Sequence, residues 1–190
     1  MRPAGFPFPA GDMPMPAILL TAPAVEPLSL AEAKAFLRLE HDFEDELVTG
    51  LIAAAARQVE KLTRRVLVAQ RWRLDVARPR DGAVRLQPRP VREVEAVRLR
   101  AADGALAVLD PADWRFDWAG ERLFVLKPLI PPCVVEVDLA CGYGDPEEIP
   151  ESLRLAVRRL VADAFERRTG ADGPPVDVSG LVEPYRDLRL

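Results

Sequence analysis

Leu62-Thr63-Arg64-Arg65-Val66-Leu67-Val68-Ala69-Gln70-Arg71-Trp72-Arg73-Leu74-Asp75-Val76 is where the chain changes period. Up to Val66 the apolar residues recur at three and four, the spacing of a helix with one buried stripe. From about Val68 they recur at two: Trp72, Leu74 and Val76 alternate with Arg71, Arg73 and Asp75, as in a strand with one wet face. Further strand segments follow at 83–86, 91–100, 105–109, 113–118, 122–126 and 133–140, separated by turn signals such as Asp81-Gly82, Asp103-Gly104, Asp110-Pro111 and Ala119-Gly120. No crossover helix fits between them. Close turns therefore predict an antiparallel meander, small sandwich or barrel, and the chain falls in the α+β class.

Upstream of the switch, Ser29 and Glu32 form a capping-box pattern that starts a short helix over about 29–39, with Leu30, Ala33, Phe36 and Leu37 on one face. A second helix is predicted to start at Asp42. Its first turn is acidic (Glu44, Asp45, Glu46) and its last turns basic (Arg57, Lys61, Arg64, Arg65), as the helix dipole favours. Leu47, Leu51, Ala54, Ala55, Leu62 and Val66 form its stripe, and Val48, Ile52, Ala56 and Val59 widen it. The run Ala53-Ala54-Ala55-Ala56 lets another helix approach closely.

Downstream, helical spacing returns after Ile149-Pro150, with Leu153, Ala156, Val157, Leu160, Val161, Ala164 and Phe165 on one stripe and Gly170 as the stop. The expected organisation is a small helical bundle of three main helices with an inserted antiparallel β subdomain and extended N- and C-terminal arms. Its parts are an extended Pro-rich arm (1–27), helices one and two (28–68), the β insertion (69–142), the third core helix (143–170) and an extended tail (171–190). Seven of the 19 prolines lie in residues 1–27, which argues against independent folding of that arm.

Composition narrows the function classes. The 190 residues are 49% hydrophobic and 29% charged, with a net charge of −4, so the whole surface is not the basic footprint of a nucleic-acid coat. Cys133 and Cys141 are too few for a disulfide framework and lack zinc-site spacing. Eight residues apart on one strand they would sit ~26 Å from each other. A reducing compartment is expected. The run Ala17-Ile18-Leu19-Leu20 is shorter than an export segment, and no stretch approaches the ~20 apolar residues of a membrane span.

No catalytic constellation emerges. His41 is the only histidine and stands at a helix boundary, with no G-x-S-x-G nucleophile. Glu40, Asp42, Glu44, Asp45 and Glu46 lack the glycine and distal glutamate of a calcium loop and are explained by capping. Gly142-Tyr143-Gly144 lacks the third glycine of a dinucleotide fingerprint. Neither a metal nor a cofactor is expected. Arg154, Arg158 and Arg159 on the third helix read either as a solvated face or as a basic surface for an acidic partner or DNA phosphates. Trp114, Phe116 and Trp118 alternate at strand spacing as a packed face. The apolar residues spaced along the tail, Val176, Val178, Leu181, Val182, Tyr185, Leu188 and Leu190, suit partner binding, with Leu181, Tyr185, Leu188 and Leu190 as the anchors.

Three stretches together carry a family resemblance. Leu28-Ser29-Leu30-Ala31-Glu32-Ala33-Lys34-Ala35-Phe36-Leu37-Arg38-Leu39 runs through His41-Asp42 into Glu44-Asp45-Glu46-Leu47. Leu51-Ile52-Ala53-Ala54-Ala55 leads to Val59-Glu60-Lys61-Leu62-Thr63 and Gln70-Arg71-Trp72. Ala140-Cys141-Gly142-Tyr143-Gly144 is followed by Ile149-Pro150-Glu151-Ser152-Leu153 and by Phe165-Glu166-Arg167-Arg168. Over about 28–168 this resembles the head–tail connector (adaptor) family of long-tailed bacteriophages, prophages and gene transfer agents.

The resemblance implies a non-enzymatic subunit of an oligomeric ring, expected to be twelve-fold, beneath the portal at the capsid vertex. Such a ring joins head to tail and lines part of the DNA exit channel. It implies a portal protein above, a tail-side stopper or neck protein below, transient non-specific contact with double-stranded DNA, and no membrane. The subunit would be made in the bacterial host cytoplasm and end in the particle neck. On this reading Arg154, Arg158 and Arg159 face the channel or portal, and Leu181, Tyr185, Leu188 and Leu190 enter a partner groove. Smaller members of the family are almost wholly helical, so the strand-rich block is a departure. The residues alone leave two alternatives: a generic soluble protein-interaction or regulatory domain, and an enzyme whose site converges from distant segments.

Overall fold

A computed structural model describes residues 17–77, 83–101, 103–129, 133–168 and 176–186. The chain divides into a β unit, built from 71–87 and 93–140 with the strand residues at 18–20, and a helical unit, built from 21–70, 88–92 and the chain from 141 onward.

In the helical unit, α1 (Leu30–Leu37) starts at the predicted capping box. The Glu32 amide donates to Ser29 Oγ at 3.2 Å, and the Ser29 amide donates to Glu32 Oε2 at 3.0 Å. These bonds satisfy donors that a helix start leaves open. Arg38 ends α1 in the left-handed region. The second helix, α2 (Asp45–Thr63), begins three residues later than predicted. Asp42 does not cap it: Lys34 Nζ donates to Asp42 and, at 2.7 Å, to Asp45, tying α1 to the loop.

The buried face of α2 is Val48, Ile52, Ala55, Ala56, Val59 and Thr63. Sequence spacing favoured the adjacent stripe, but Leu47 is 38% exposed and Ala54 is exposed. Both stripes are apolar, so periodicity alone does not choose between them. The partner helix does: α3 (Glu151–Arg167) packs on α2 and buries Leu153, Ala156, Val157, Leu160 and Val161, the core of its predicted stripe. Small side chains at Ala55, Ala56 and Ala156 permit that approach. Thr63 remains satisfied by donating to the Val59 carbonyl at 2.8 Å. Phe36, predicted on the buried face of α1, is 44% exposed, because this two-turn helix buries only Ala33 fully.

The described tail departs from an extended arm. Residues Ser179–Val182 form a helical turn, α4, and Val178 and Val182 are buried in the same core as α2 and α3. Val178 and Val182 are four apart, so one helical turn buries both.

Among the described residues there are eight strands, centred on the β unit: β1 (Ile18–Thr21), β2 (Gln70–Ala77), β3 (Ala83–Arg85), β4 (Val91–Ala101), β5 (Leu106–Val108), β6 (Trp114–Asp117), β7 (Arg122–Val125) and β8 (Cys133–Cys141). Two antiparallel sheets form, with orders β1-β2-β8-β4-β5 and β3-β7-β6. The segments after Val68 are found within a residue or two of their predicted places, but they do not make a simple meander: β8 enters between β2 and β4. β1 lies inside the stretch predicted to be an extended Pro-rich arm, and it orders against β2. Cys133 and Cys141 stand at the two ends of β8 and form no disulfide.

Along β8, Val135, Val137, Leu139 and Cys141 are fully buried, and Leu74, Val76 and Val97 join them in the core. The opposite face was predicted to be wet. Instead Asp75, Glu136 and Asp138 are 7%, 4% and 5% exposed. Arg73 grips Asp138 with two bonds of 2.7 and 3.0 Å, Arg98 adds a third at 2.8 Å, and Arg100 bridges Asp75 at 2.7 Å and Glu136 at 3.2 Å. Three guanidinium groups balance three carboxylates. Pairing of this kind is what makes buried charge tolerable, and its loss is costly because a partner is stranded.

The hydrogen bond from Arg73, with that from Arg98, holds the Asp138 carboxyl below its ordinary value against the opposing pull of burial. With the folded-state value below the unfolded one, the stabilisation is complete above about pH 4 and is lost as pH falls through the folded value. D138N strands Arg73 and Arg98 and should cost the β unit about 3 kcal/mol at pH 7. Acid denaturation should also become shallower; a D138N acid limb that overlays the wild-type curve contradicts the network's role.

Candidate functional site

The Gly142-Tyr143-Gly144 turn positions the start of α3. Gly142 and Gly144 have φ of +109° and +125°, conformations that disfavour other residues. A Cβ on Gly142 would lie 2.4 Å from the Val68 carbonyl oxygen. The close approach lets the Tyr143 amide donate to Leu67 at 3.0 Å, the Ala69 amide to Gly144 at 2.9 Å and the Gly142 amide to Pro90 at 2.9 Å. On the other strand of this junction, the Leu67 amide donates to Glu60 Oε1 at 2.9 Å; burial, the dominant influence, pushes the Glu60 carboxyl up. Arg92 then clamps the turn through the Tyr143 carbonyl at 2.9 Å and Glu148 at 3.3 Å. The glycines thus serve close backbone packing rather than a nucleotide.

Of the three arginines singled out on α3, two are engaged at home. Arg154 pairs with Glu32 of the capping box and lies 3.7 Å from Glu151, and Arg158 also pairs with Glu151. Arg159 is exposed and makes no ion pair among the described residues. Nearby, Arg168 pairs with Glu44 and stacks 4.1 Å over the Phe165 ring.

The tail residues divide as well. Leu181 and Tyr185 are half-buried against the helical core. Ser152 Oγ bonds the Tyr185 hydroxyl at 3.0 Å, and Arg65 Nε donates to the Tyr185 carbonyl at 2.8 Å. Leu188 and Leu190 lie outside the described residues. Both described anchors therefore serve the subunit's own packing.

Surface features that the sequence did not single out are apolar. At the corner between α1 and α2, Phe43 is 95% exposed, and its ring lies 5.6 Å from that of His41. The burial of α2 by one of two apolar stripes is what leaves Leu47 outside. A concavity of about 770 Å³ is lined by apolar residues including Leu28 and Ile52, by Glu26, Asp145 and Glu147, and by the Glu32–Arg154 pair. Among the described residues no cluster of histidine, cysteine or carboxylates is arranged to hold a metal ion. No described helix is long and apolar enough to cross a membrane. These surfaces offer docking chemistry: an apolar corner, a concavity with charged lining and an exposed cation.

The chain belongs to the head–tail connector family. The family model described as phage gp6-like head-tail connector protein matches residues 27–100, which span α1, α2 and the strands through most of β4. Solved structures match nearly end to end. A chain from the neck of an empty GTA particle, computed with C6 symmetry, is 31% identical, with 93% of this chain and 97% of that chain covered and a TM-score of 0.79. A chain from the virion of a native gene transfer agent particle is 30% identical, with 93% and 97% covered and a TM-score of 0.77. A third, from the neck of a native GTA particle computed with C12 symmetry, is 29% identical, with 91% and 97% covered and a TM-score of 0.70. No curated protein matches the chain. The β insertion is thus part of the shared architecture, and the role of the protein is structural.

Replacing Gly142 tests the turn that this architecture depends on. G142A must leave the glycine region of φ and displace the Val68 backbone, costing about 3 kcal/mol and lowering Tm by roughly 6–12 °C. An unchanged Tm contradicts the close-packing account.

Proposed function

We propose that the chain is the subunit of a twelve-membered ring in the neck of a phage or gene transfer agent particle. The ring sits beneath the portal, joins head to tail and encloses part of the DNA exit channel. The observation that carries this reading is the end-to-end match, at 31% identity, to a chain of a GTA particle neck. Twelve copies accord with the C12 symmetry of the native neck to which the chain is similar. The portal protein and a tail-side stopper or neck protein are the partners, and no catalytic step belongs to the role. Electron microscopy of particles from producing cells tests it: a ring of this chain at the vertex is expected, and its absence overturns the reading.

The tail has a divided task in this proposal. Leu181 and Tyr185 seat the segment on the subunit's own helices, and the residues after Arg186, with Leu188 and Leu190, dock into the neighbouring protein. Deleting 187–190 should leave Tm within about 1 °C and abolish head-to-tail joining, since a few apolar anchors carry most interface energy. Deleting 171–190 also removes Val178 and Val182 from the core and should lower Tm by several degrees. Normal particle yield after the short deletion refutes the docking role.

Among the three α3 arginines, Arg159 is the one free to meet DNA or the portal, since Arg154 and Arg158 are held by Glu32 and Glu151. R159E should weaken DNA retention in a salt-dependent manner, because phosphate contacts act through counterion release. Retention equal to wild type at all salt concentrations removes Arg159 from the channel.

A further inference from the structure

The five-stranded sheet ends on both sides in short strands that carry no charge. β1 and β5 are its outermost strands, and no described strand pairs with their outer edges. β5 spends its inner edge on β4, with Arg98 opposite Val108, Leu99 opposite Ala107 and Arg100 opposite Leu106. Natural edge strands are blunted by brevity, lysine, inward charge, proline or bulges, because open amide and carbonyl rows recruit other chains. Of these, β1 and β5 have only brevity, with Pro16 and Pro23 just outside β1. Here no charged residue lies between Ala17 and Val25, or between Ala105 and Leu109. Both strands are also apolar where they are open: Ile18, Leu19 and Leu20 are 52%, 45% and 40% exposed, and Leu106 and Val108 are 57% and 73% exposed.

We infer that β1 of one copy pairs with β5 of the next, so that the five-stranded sheets of neighbouring subunits join edge to edge. The inference rests on the ring reading above. A closed ring of identical copies requires a heterologous contact, in which one patch meets a different patch of the neighbour. β1 and β5 supply two such patches, four strand spacings or roughly 19 Å apart across one sheet. One copy therefore presents each half of the contact toward a different neighbour. Strand addition satisfies the open backbone rows through main-chain hydrogen bonds. It also gives the exposed Ile18, Leu19, Leu20, Leu106 and Val108 cross-strand apolar neighbours that a solitary subunit lacks. A second copy is the occupant favoured over an unrelated chain because the two uncharged edges belong to the same sheet and both need covering in every subunit.

Cysteine pairing in assembled particles tests this. Cβ atoms directly opposite across paired strands lie ~4.5–5.5 Å apart, within reach of a disulfide after small adjustment. Leu19 and Ala107 are central in their strands, so they come close whichever way the strands run. Particles carrying both L19C and A107C should, after mild oxidation, yield a ladder of multiples of the subunit mass on non-reducing gels, and neither single variant should. Pairing cysteines at 18, 19 and 20 with cysteines at 106, 107 and 108 covers the alternative registers.

A ring visible by electron microscopy with no ladder in any register overturns the strand pairing and leaves the connector reading intact. A ladder of unequal steps, from a different protein on either edge, overturns it as well. Particles without a ring of this chain overturn the ring reading and the pairing together. Hydrogen exchange of the wild-type chain gives a measurement free of substitutions. Amides of Ile18–Thr21 and Leu106–Val108 should exchange at least tenfold more slowly in the particle than in the isolated subunit. Equal exchange in both states rejects the pairing.

Discussion

The packing of α2 on α3 is the contact on which the helical unit depends. The two helices are separated in sequence by the whole β insertion, yet Val48, Ile52, Ala55, Ala56 and Val59 meet the stripe from Leu153 to Val161 in one core. Each remaining helical element adds to that pair. Ala33 brings α1 into the core, and Val178 and Val182 bring α4. Small residues at the contact matter as much as large ones, because close approach gives the branched side chains a full set of neighbours.

Such a pair forms only if the insertion returns the chain to its starting point. Val68 bridges Gly144, so the chain leaving α2 and the chain entering α3 run beside each other, and Arg65 bridges Arg89 in the segment before β4. Gly142 permits the approach because a side chain there would collide with the Val68 carbonyl. A short glycine turn thereby accounts for how a helical connector core tolerates a long β block between its helices. The β unit, for its part, has its own apolar core along β8 and its own charge-balanced face, so each unit carries its own means of stability.

For a subunit of an assembly, what stays exposed is as informative as what is buried. Phe43 at the α1–α2 corner and the apolar residues of the uncharged outer strands β1 and β5 stay open to solvent. Arg154 and Arg158 show the converse. They look like surface charges in the sequence, but the α1 cap residue Glu32 and the α3 first-turn residue Glu151 already neutralise them. Counting arginines on a helix face thus overstates the positive charge available to DNA.

Local chemistry made much of this legible in advance. The Ser29–Glu32 capping box, the change of period near Val68, the turn residues between strands and the Leu153–Val161 stripe each act within a few residues, so the sequence alone determined them. The combination of motifs from Leu28 to Arg168 likewise carried the family. Tertiary structure decided the rest. It selected which of two apolar stripes on α2 is buried, since both satisfy the same period and only α3 distinguishes them. It set β8 between β2 and β4, placed β1 at the sheet edge, and enclosed Asp75, Glu136 and Asp138 with arginines from other strands. It also folded Leu181 and Tyr185 back onto the core. Each of these depends on contacts between residues far apart in the chain, and alternation or helical spacing carries no information about which distant partner will cover a given face.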